Sequence, residues 1–131
     1  MDSTSKQWAP HALSLLRIVV ALLFIEHGAQ KLFGFPSAPA AGMPAMLSFP
    51  FWWQGVIEVA GGALLVLGLL TRPVAFILAG DMAYAYWVYH FPKSPYPVLN
   101  GGDAAILFCF VFLYLAAAGG GAWSVDKSWE S

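Results

Sequence analysis

Long apolar runs, separated by short polar or proline-rich breaks, dominate the sequence. They cover residues 10–33, 51–70, 73–90 and 103–118. The first run has about 24 residues, roughly 36 Å of helix, which is enough to cross a hydrocarbon core of about 30 Å. The pattern predicts an all-α protein, a four-transmembrane-helix antiparallel bundle. A single membrane domain over residues 10–123 would lie between short polar tails, residues 1–9 and 124–131.

The composition favours the same surroundings. Hydrophobic residues make up 60% of the chain and charged residues 10%, against about 25% charged in soluble proteins. A soluble bundle of buried helices is the counter-hypothesis, and the length of the apolar runs disfavours it. The lipid bilayer is therefore the expected partner. The net charge of −1, without any Lys/Arg cluster, excludes nucleic acid.

The connection between the first two runs is apolar and broken. Its sequence, GFPSAPAAGMPAMLSFPF, has four prolines and no charge. It is too broken for a continuous helix and too apolar for a solvated linker. We expect an interfacial or partly re-entrant loop.

Basic residues give the orientation signal. With four spans, three of them fall on the side of the termini, namely Lys6, Arg72 and Lys127, whereas Lys31 and Lys93 fall on the other side. The positive-inside rule then favours cytoplasmic termini.

Two charges of opposite sign occur at matching depth inside the runs. Arg17 lies in the first run and Asp81 in the third, each seven or eight residues from the same membrane side. A charge in hydrocarbon needs a partner. The spacing predicts a structural ion pair between Arg17 and Asp81.

A second polar cluster is expected toward the opposite membrane face. His27, Lys31 and Glu58 are the candidate catalytic residues, because histidine, carboxylate and lysine together handle protons or bind an anion. The candidate cofactor-binding residues at this level are Glu26, Tyr84, Tyr86, His90 and Asp103. The alternative is that these groups only neutralise one another and stiffen the bundle. No spacing resembles a metal-ligand motif, so no metal site is predicted.

Helical geometry separates two neighbouring members of this cluster. Residues at i+3, i+4 and i+7 share a face, which places Arg17 and Lys31 on one stripe with His27 at its edge. Glu26 falls about half a turn away. It therefore faces either a second packed surface or a second subunit.

Several other residues have plainer interpretations. Asp103, at the start of the fourth run, is expected to be a helix N-cap. Asn100, Gly101 and Gly102 form a turn by default. The lone Cys109 excludes an internal disulfide or a CxxC redox pair and is expected to be a small buried hydrophobe.

The motifs resemble those of the DoxX family of small bacterial membrane proteins. The similarity runs through His27-Gly28, Lys31-Leu32-Phe33-Gly34, Glu58-x-x-Gly61-Gly62, Gly68-Leu69-Leu70-Thr71-Arg72, Met82-Ala83-x-Ala85-Tyr86 with His90, Asn100-Gly101-Gly102-Asp103 and Trp123-Ser124-Val125-Asp126. It covers nearly the whole chain after the first ten residues. One departure is Asp103, where the family often has Glu.

The resemblance implies a four-helix protein of the bacterial inner membrane with a loose link to redox chemistry. Relatives include the membrane subunit of a thiosulfate:quinone oxidoreductase and a member associated with an oxidative-stress complex. The first hypothesis is therefore an oxidoreductase subunit that binds a quinone or similar small molecule and works with a redox-protein partner.

Two other functions remain under consideration. One is a non-catalytic assembly or anchoring protein, in which Glu26 meets a partner subunit or a second copy of the chain. The other is a proton-coupled carrier, which is disfavoured because the four runs contain no paired broken-helix repeat. The sequence itself fixes neither the ligand nor a cofactor.

Overall fold

The computed structural model describes residues 3–130, and its regular elements in that range are all helical. The α-helices are α1 Ser3–Phe33, α2 Phe51–Leu67, α3 Thr71–Ala85, α4 Pro97–Asn100, α5 Asp103–Ala118 and α6 Val125–Glu130. A π-helical turn, Tyr86–His90, and a 3₁₀ turn, Phe91–Lys93, follow α3. The all-α prediction is confirmed. The chain divides into two compact units, the first containing residues up to Thr71 and from Gly120 onward, the second residues 72–119.

Helix boundaries differ from the apolar runs in the first three helices, and α3 begins at Thr71 rather than at Pro73 and ends at Ala85. The first helix begins at Ser3 rather than at Pro10, so Pro10 lies inside α1. The second ends at Leu67, because Gly68 adopts a left-handed conformation with φ of 71°. The Gly68 N–H then donates to Leu65 O at 3.1 Å and the Leu69 N–H to Leu64 O at 2.9 Å, a Schellman-type ending. By contrast, α5 covers the same residues as the fourth run.

Among the described helices, α1 alone has both the length and the apolarity to cross a membrane unaided. It has 31 residues. The helices α2 and α5 are apolar but have 17 and 16 residues, about 26 and 24 Å at 1.5 Å per residue, less than the ~30 Å hydrocarbon thickness. The helix lengths therefore do not by themselves establish the predicted four-span bundle.

In the first unit, α1 and α2 run antiparallel and pack closely through glycines. A Cβ placed on Gly62 would lie 2.5 Å from Ile25 Cγ1, and one on Gly28 would lie 2.9 Å from Glu58 Cβ. Small residues let helix backbones approach in this way. The close approach brings side chains of α1 within direct reach of α2.

The C-terminal segment, residues 120–130, is fastened to both helices of the first unit. The Trp123 N–H donates to Ser14 Oγ at 2.9 Å, and Ser14 Oγ donates to Gly120 O at 3.0 Å. The Asp126 N–H donates to Gly68 O at 3.0 Å. Residues 120–123 were predicted to belong to the membrane domain, and residues 124–130, expected to belong to a polar tail, are in part packed on the unit through Asp126.

In the second unit, α3 and α5 also run antiparallel. At one end, the Arg72 guanidinium donates to Ala117 O. At the other, the Tyr86 ring packs on Gly102 so closely that a Cβ there would lie 2.6 Å from Tyr86 Cε1. The most buried apolar side chains of this unit are Leu78, Phe112 and Leu115.

Candidate functional site

A buried ion pair joins the last turn of α1 to α2. Lys31 Nζ lies 2.6 Å from Glu58 Oε1, and the two side chains are 14% and 0% exposed. Nζ also lies 5.1 Å from the centre of the Phe51 ring, an arrangement that favours a cation over the ring face. Two of the three predicted catalytic residues are thus in direct contact.

Glycines on both helices make this pair geometrically feasible. A Cβ on Gly55 would lie 2.9 Å from Lys31 Cβ, while one on Gly28 would meet Val59 Cγ2 at 2.8 Å. Lys31 and Glu58 therefore meet at short range without either side chain reaching into solvent. A carboxylate without exposure needs such a cation or a strong donor.

The third predicted catalytic residue, His27, lies one helical turn before Lys31 on α1, near enough for the two charges to interact. His27 is exposed, and so is its neighbour Glu26. The separation of Glu26 from the Arg17–Lys31 stripe, expected from helical angles, agrees with this placement. These two polar side chains lie on the outer side of α1, whereas Lys31 turns toward α2.

Arg17 is fully buried in the first unit and is surrounded by carbonyl groups. Nε donates to Leu65 O at 2.7 Å, one terminal nitrogen donates to Trp123 O at 2.8 Å, and the other donates to Gly120 O. A guanidinium has five N–H donors and suits such a set. The pairing of Arg17 with Asp81 stays a prediction.

Sequence reasoning missed these carbonyl partners, although one signal for them existed. The last four carbonyls of any helix lack intrahelical donors. Leu65, in the last turn of α2 before the Gly68 turn, supplies one of them. A buried arginine beside a glycine-terminated helix is a natural donor for such groups.

Asp126, in the C-terminal segment, holds the start of α3. Its Oδ1 accepts from the Leu70 N–H at 2.8 Å and its Oδ2 from the Thr71 N–H at 2.8 Å. Burial raises the pKa of Asp126, but hydrogen bonds from Thr71 and Leu70 and the charge of Arg17 outweigh it. The pKa of this carboxyl therefore lies below its ordinary value.

A second polar cluster lies in the second unit around Asn100, which is buried. Its side-chain amide donates to Tyr86 Oη at 3.2 Å and to Ser94 O at 2.9 Å, and its Oδ1 accepts from the Gly102 N–H at 2.8 Å. The residue expected to be only part of a turn is therefore the centre of a hydrogen-bond network.

The same turn orients His90, a predicted cofactor-binding residue. Its Nδ1 lies 3.0 Å from Asn100 O. Since a carbonyl only accepts, Nδ1 carries the hydrogen of this contact. The Tyr86 and His90 rings are nearly parallel, with centres 6.3 Å apart. Both belong to the π-helical turn, a feature often found at functional sites.

The other two candidates of the second unit are exposed. Tyr84 and Asp103 both have exposed side chains. The expectation that Asp103 is an N-cap is wrong, because Gly102 occupies the N-cap and Asp103 is the first residue of α5. It still places a negative charge in the first turn, where the helix dipole favours it.

The described residues contain no group of three or more His, Cys, Asp or Glu side chains arranged to hold a metal ion. The polar chemistry recorded in the described part of the chain is hydrogen-bonding and ionic, in the Lys31–Glu58 pair, the Arg17 carbonyl set and the Asn100 network.

Comparison with known proteins gives the family. The DoxX profile matches residues 12–91. The chain belongs to the DoxX family. It is 42% identical to an uncharacterised protein of Haemophilus influenzae over 93% of each chain, and no solved structure matches it. The resemblance drawn from the motifs is confirmed.

Two further relatives carry names that state a membrane location. An uncharacterised membrane protein of Mycobacterium tuberculosis is 28% identical, covering 90% of this chain and 81% of that protein. The inner membrane protein YphA of Escherichia coli is 29% identical over 90% of each chain. The family and these two relatives indicate that this DoxX protein is a membrane protein and lies in a lipid bilayer.

Proposed function

We propose that this DoxX protein is a redox-linked membrane subunit that binds a quinone or a similar small molecule at the Lys31–Glu58 pair. The observation that carries the proposal is a carboxylate without solvent exposure whose Oε1 lies 2.6 Å from a lysine Nζ. Such a pair only roughly balances its own desolvation. A site of this kind is suited to exchanging a proton with a bound molecule.

Each residue has a role in this proposal. Lys31 donates a hydrogen bond to the oxygen on which negative charge develops when a partner protein reduces the quinone. Glu58 holds and releases the proton, and the exposed His27 exchanges protons with the surroundings. Tyr84, Tyr86, His90 and Asp103 stay predicted cofactor-binding residues, and Glu26 is a predicted site residue on the outer face of α1.

The membrane arrangement belongs to the same proposal. We infer four spans in the bacterial inner membrane with cytoplasmic termini, formed by α1, α2, α3 with its π-helical turn, and α5. Local bilayer thinning and snorkelling of flanking side chains accommodate spans shorter than the hydrocarbon core. Reporter fusions after Arg72 and after Lys93 test this, because they should report opposite sides of the membrane.

Quinone binding is tested on protein purified with its native lipid. We expect extractable quinone and a rise in the unfolding midpoint when a quinone analogue is added. Lys31→Met should remove that rise, and Lys6→Met, a change to an exposed lysine at the start of α1, should preserve it. Absence of quinone together with no stabilisation by analogues would end the proposal.

The exposure of Glu26 and His27 favours a second candidate, an assembly or anchoring protein. A charged side chain facing lipid costs about 2.5–3.5 kcal/mol on insertion scales, so a partner subunit or a second copy would cover this part of α1. A photocrosslinking residue at position 26 in native membranes should trap one defined neighbour. A uniformly monomeric product would remove this candidate.

A further inference from the structure

The loop between α1 and α2, residues 34–50, exposes a high density of apolar side chains. Phe49 is 84% exposed, Met46 77% and Phe35 67%, and Met43 and Leu47 are exposed as well. No charged residue occurs between Lys31 and Glu58. Exposed apolar surface of this density marks an interaction site rather than a solvated connection.

The position of the loop identifies its partner. It begins where α1, the membrane-crossing helix, ends at Phe33, and it continues the exposed aliphatic surface of α1 that includes Leu22 and Leu23. Trp53, just after the loop, donates from Nε1 to Leu47 O at 3.0 Å. Tryptophan favours the headgroup level of a bilayer, so this bond holds Leu47 near that level.

We propose that residues 34–50 insert their apolar side chains into the boundary between headgroups and acyl chains of one bilayer leaflet. The loop has no charged side chain, so its insertion at this boundary does not require placing an ion in hydrocarbon, which would be costly. The proposal concerns the membrane surface of the protein, and it does not rest on the proposed redox function.

The backbone sets how deep the loop lies. Non-helical backbone exposed to lipid cannot leave its N–H groups unsatisfied in hydrocarbon. Prolines have no N–H, and short turns satisfy others, with Gly42 N–H donating to Pro39 O at 2.8 Å and Ser48 N–H to Ala45 O at 3.0 Å. Groups outside such turns need water. The loop therefore lies about 5–10 Å into the boundary, as interfacial segments do, and not at the bilayer centre.

Site-directed spin labelling measures this depth directly. The full chain with Cys109→Ala has no other cysteine, so nitroxide labels go onto Met46→Cys and, separately, Phe49→Cys. Both side chains are exposed, and their replacement opens no cavity. Leu22→Cys, exposed at the centre of the apolar run 10–33, is the deep control, and Lys127→Cys, exposed in the C-terminal segment, is the aqueous control.

The proteins are reconstituted into vesicles of phosphatidylethanolamine and phosphatidylglycerol. Power saturation with oxygen and with a nickel chelate should place both loop labels between the two controls, more accessible to oxygen and less to nickel than position 127. Three results overturn the proposal. These are nickel access equal to that of position 127, low access to both reagents because protein covers the loop, or a depth equal to that of position 22.

Discussion

Glu58 and Lys31 form a pair whose two members depend on each other for burial. Removing one should cost about 3–5 kcal/mol, because it leaves the other without its counter-charge, whereas replacing both by apolar residues of similar size should be close to neutral. We expect Lys31→Met and Glu58→Leu each to lower the unfolding free energy in micelles and the double variant to recover most of the loss.

Denaturant unfolding of the four proteins gives the coupling energy of this pair. Simple additivity of the two single losses would contradict the ion pair. Under the proposed function, the recovered double variant should still fail to bind quinone analogues, which separates stability from ligand binding.

Arg17 stabilises the first unit through the N–H groups that it donates to backbone carbonyls as well as through its charge. Arg17→Lys keeps the charge but loses the planar set of N–H groups. Leu65 O and Gly120 O keep their bonds from the Gly68 N–H and from Ser14 Oγ, so the main loss is at Trp123 O, about 1–3 kcal/mol for a buried acceptor left without a donor. We expect a clear fall in the thermal unfolding midpoint. Arg72→Lys changes the same chemistry at an exposed side chain and should shift the midpoint little. Equal shifts for both variants would show that the buried carbonyl set is unimportant.

Single residues show where prediction from the sequence ends. The depth of Arg17 in an apolar run predicted that it needs a partner. It did not predict which partner, since every residue has a backbone carbonyl and the sequence does not indicate which carbonyls lie near Arg17. Asn100 was missed for a related reason. An Asn-Gly-Gly string signals a turn, and only the fold reveals that its amide reaches Tyr86.

At the scale of helices, α1 and α2 depend on glycines at their contact. Gly62→Ala should lower the unfolding free energy by about 1–3 kcal/mol, because overpacking forces the helices apart. Gly80→Ala is the matched control, since a Cβ at Gly80 has nothing within 4 Å. Its stability should be unchanged or slightly higher, as expected from helix propensity. A tolerated Gly62→Ala would disprove the close approach.

The apolar runs predicted where the helices lie. They predicted the exact ends of a helix only where the sequence has a strong stop signal. The run at residues 103–118 coincides with α5, since glycines flank it on both sides. The start of α1 was placed too late, because Pro10 suggested a first turn whereas the helix continues through it from Ser3. The π-helical turn after Ala85 could not be predicted from the sequence, because its residues do not differ in type from those of an ordinary apolar helix.

For the molecule as a whole, Asp126 makes stability depend on pH in acid. Its pKa is lower in the folded state, so its stabilising effect is complete above the ordinary aspartate pKa of about 3.9 and is lost as pH falls through the lower folded value. We expect Asp126→Asn to unfold at lower temperature than the parent at neutral pH. The two midpoints should converge as the solution becomes strongly acidic.

Differential scanning calorimetry in acid-stable micelles measures both curves. Asp103→Asn, at an exposed carboxylate in the first turn of α5, serves as the control and should shift the midpoint less than Asp126→Asn, because a helix dipole stabilises an exposed charge by only about 0.3–1 kcal/mol. A constant gap between Asp126→Asn and the parent at every pH would refute the role of this carboxylate.

The family and the membrane surroundings could be predicted from motifs and hydropathy alone. The placement of the C-terminal segment could not, because it depends on contacts between residues far apart in sequence. The periodicity of apolar residues predicts which face of a helix is apolar. It does not predict which residues from distant parts of the chain pack on that face. The quinone site depends on such contacts as well, and it stays a proposal.

The Arg17 carbonyl set also constrains how the protein is made. The Gly120 carbonyl is 103 positions further along the chain than Arg17, so the ribosome adds more than a hundred residues before this acceptor exists. While α1 enters the translocon, its guanidinium has to be accommodated by water or by the insertion machinery. Nascent chains that stop short of Gly120 would therefore have the Leu65 carbonyl as an acceptor for this guanidinium but would lack those of Gly120 and Trp123.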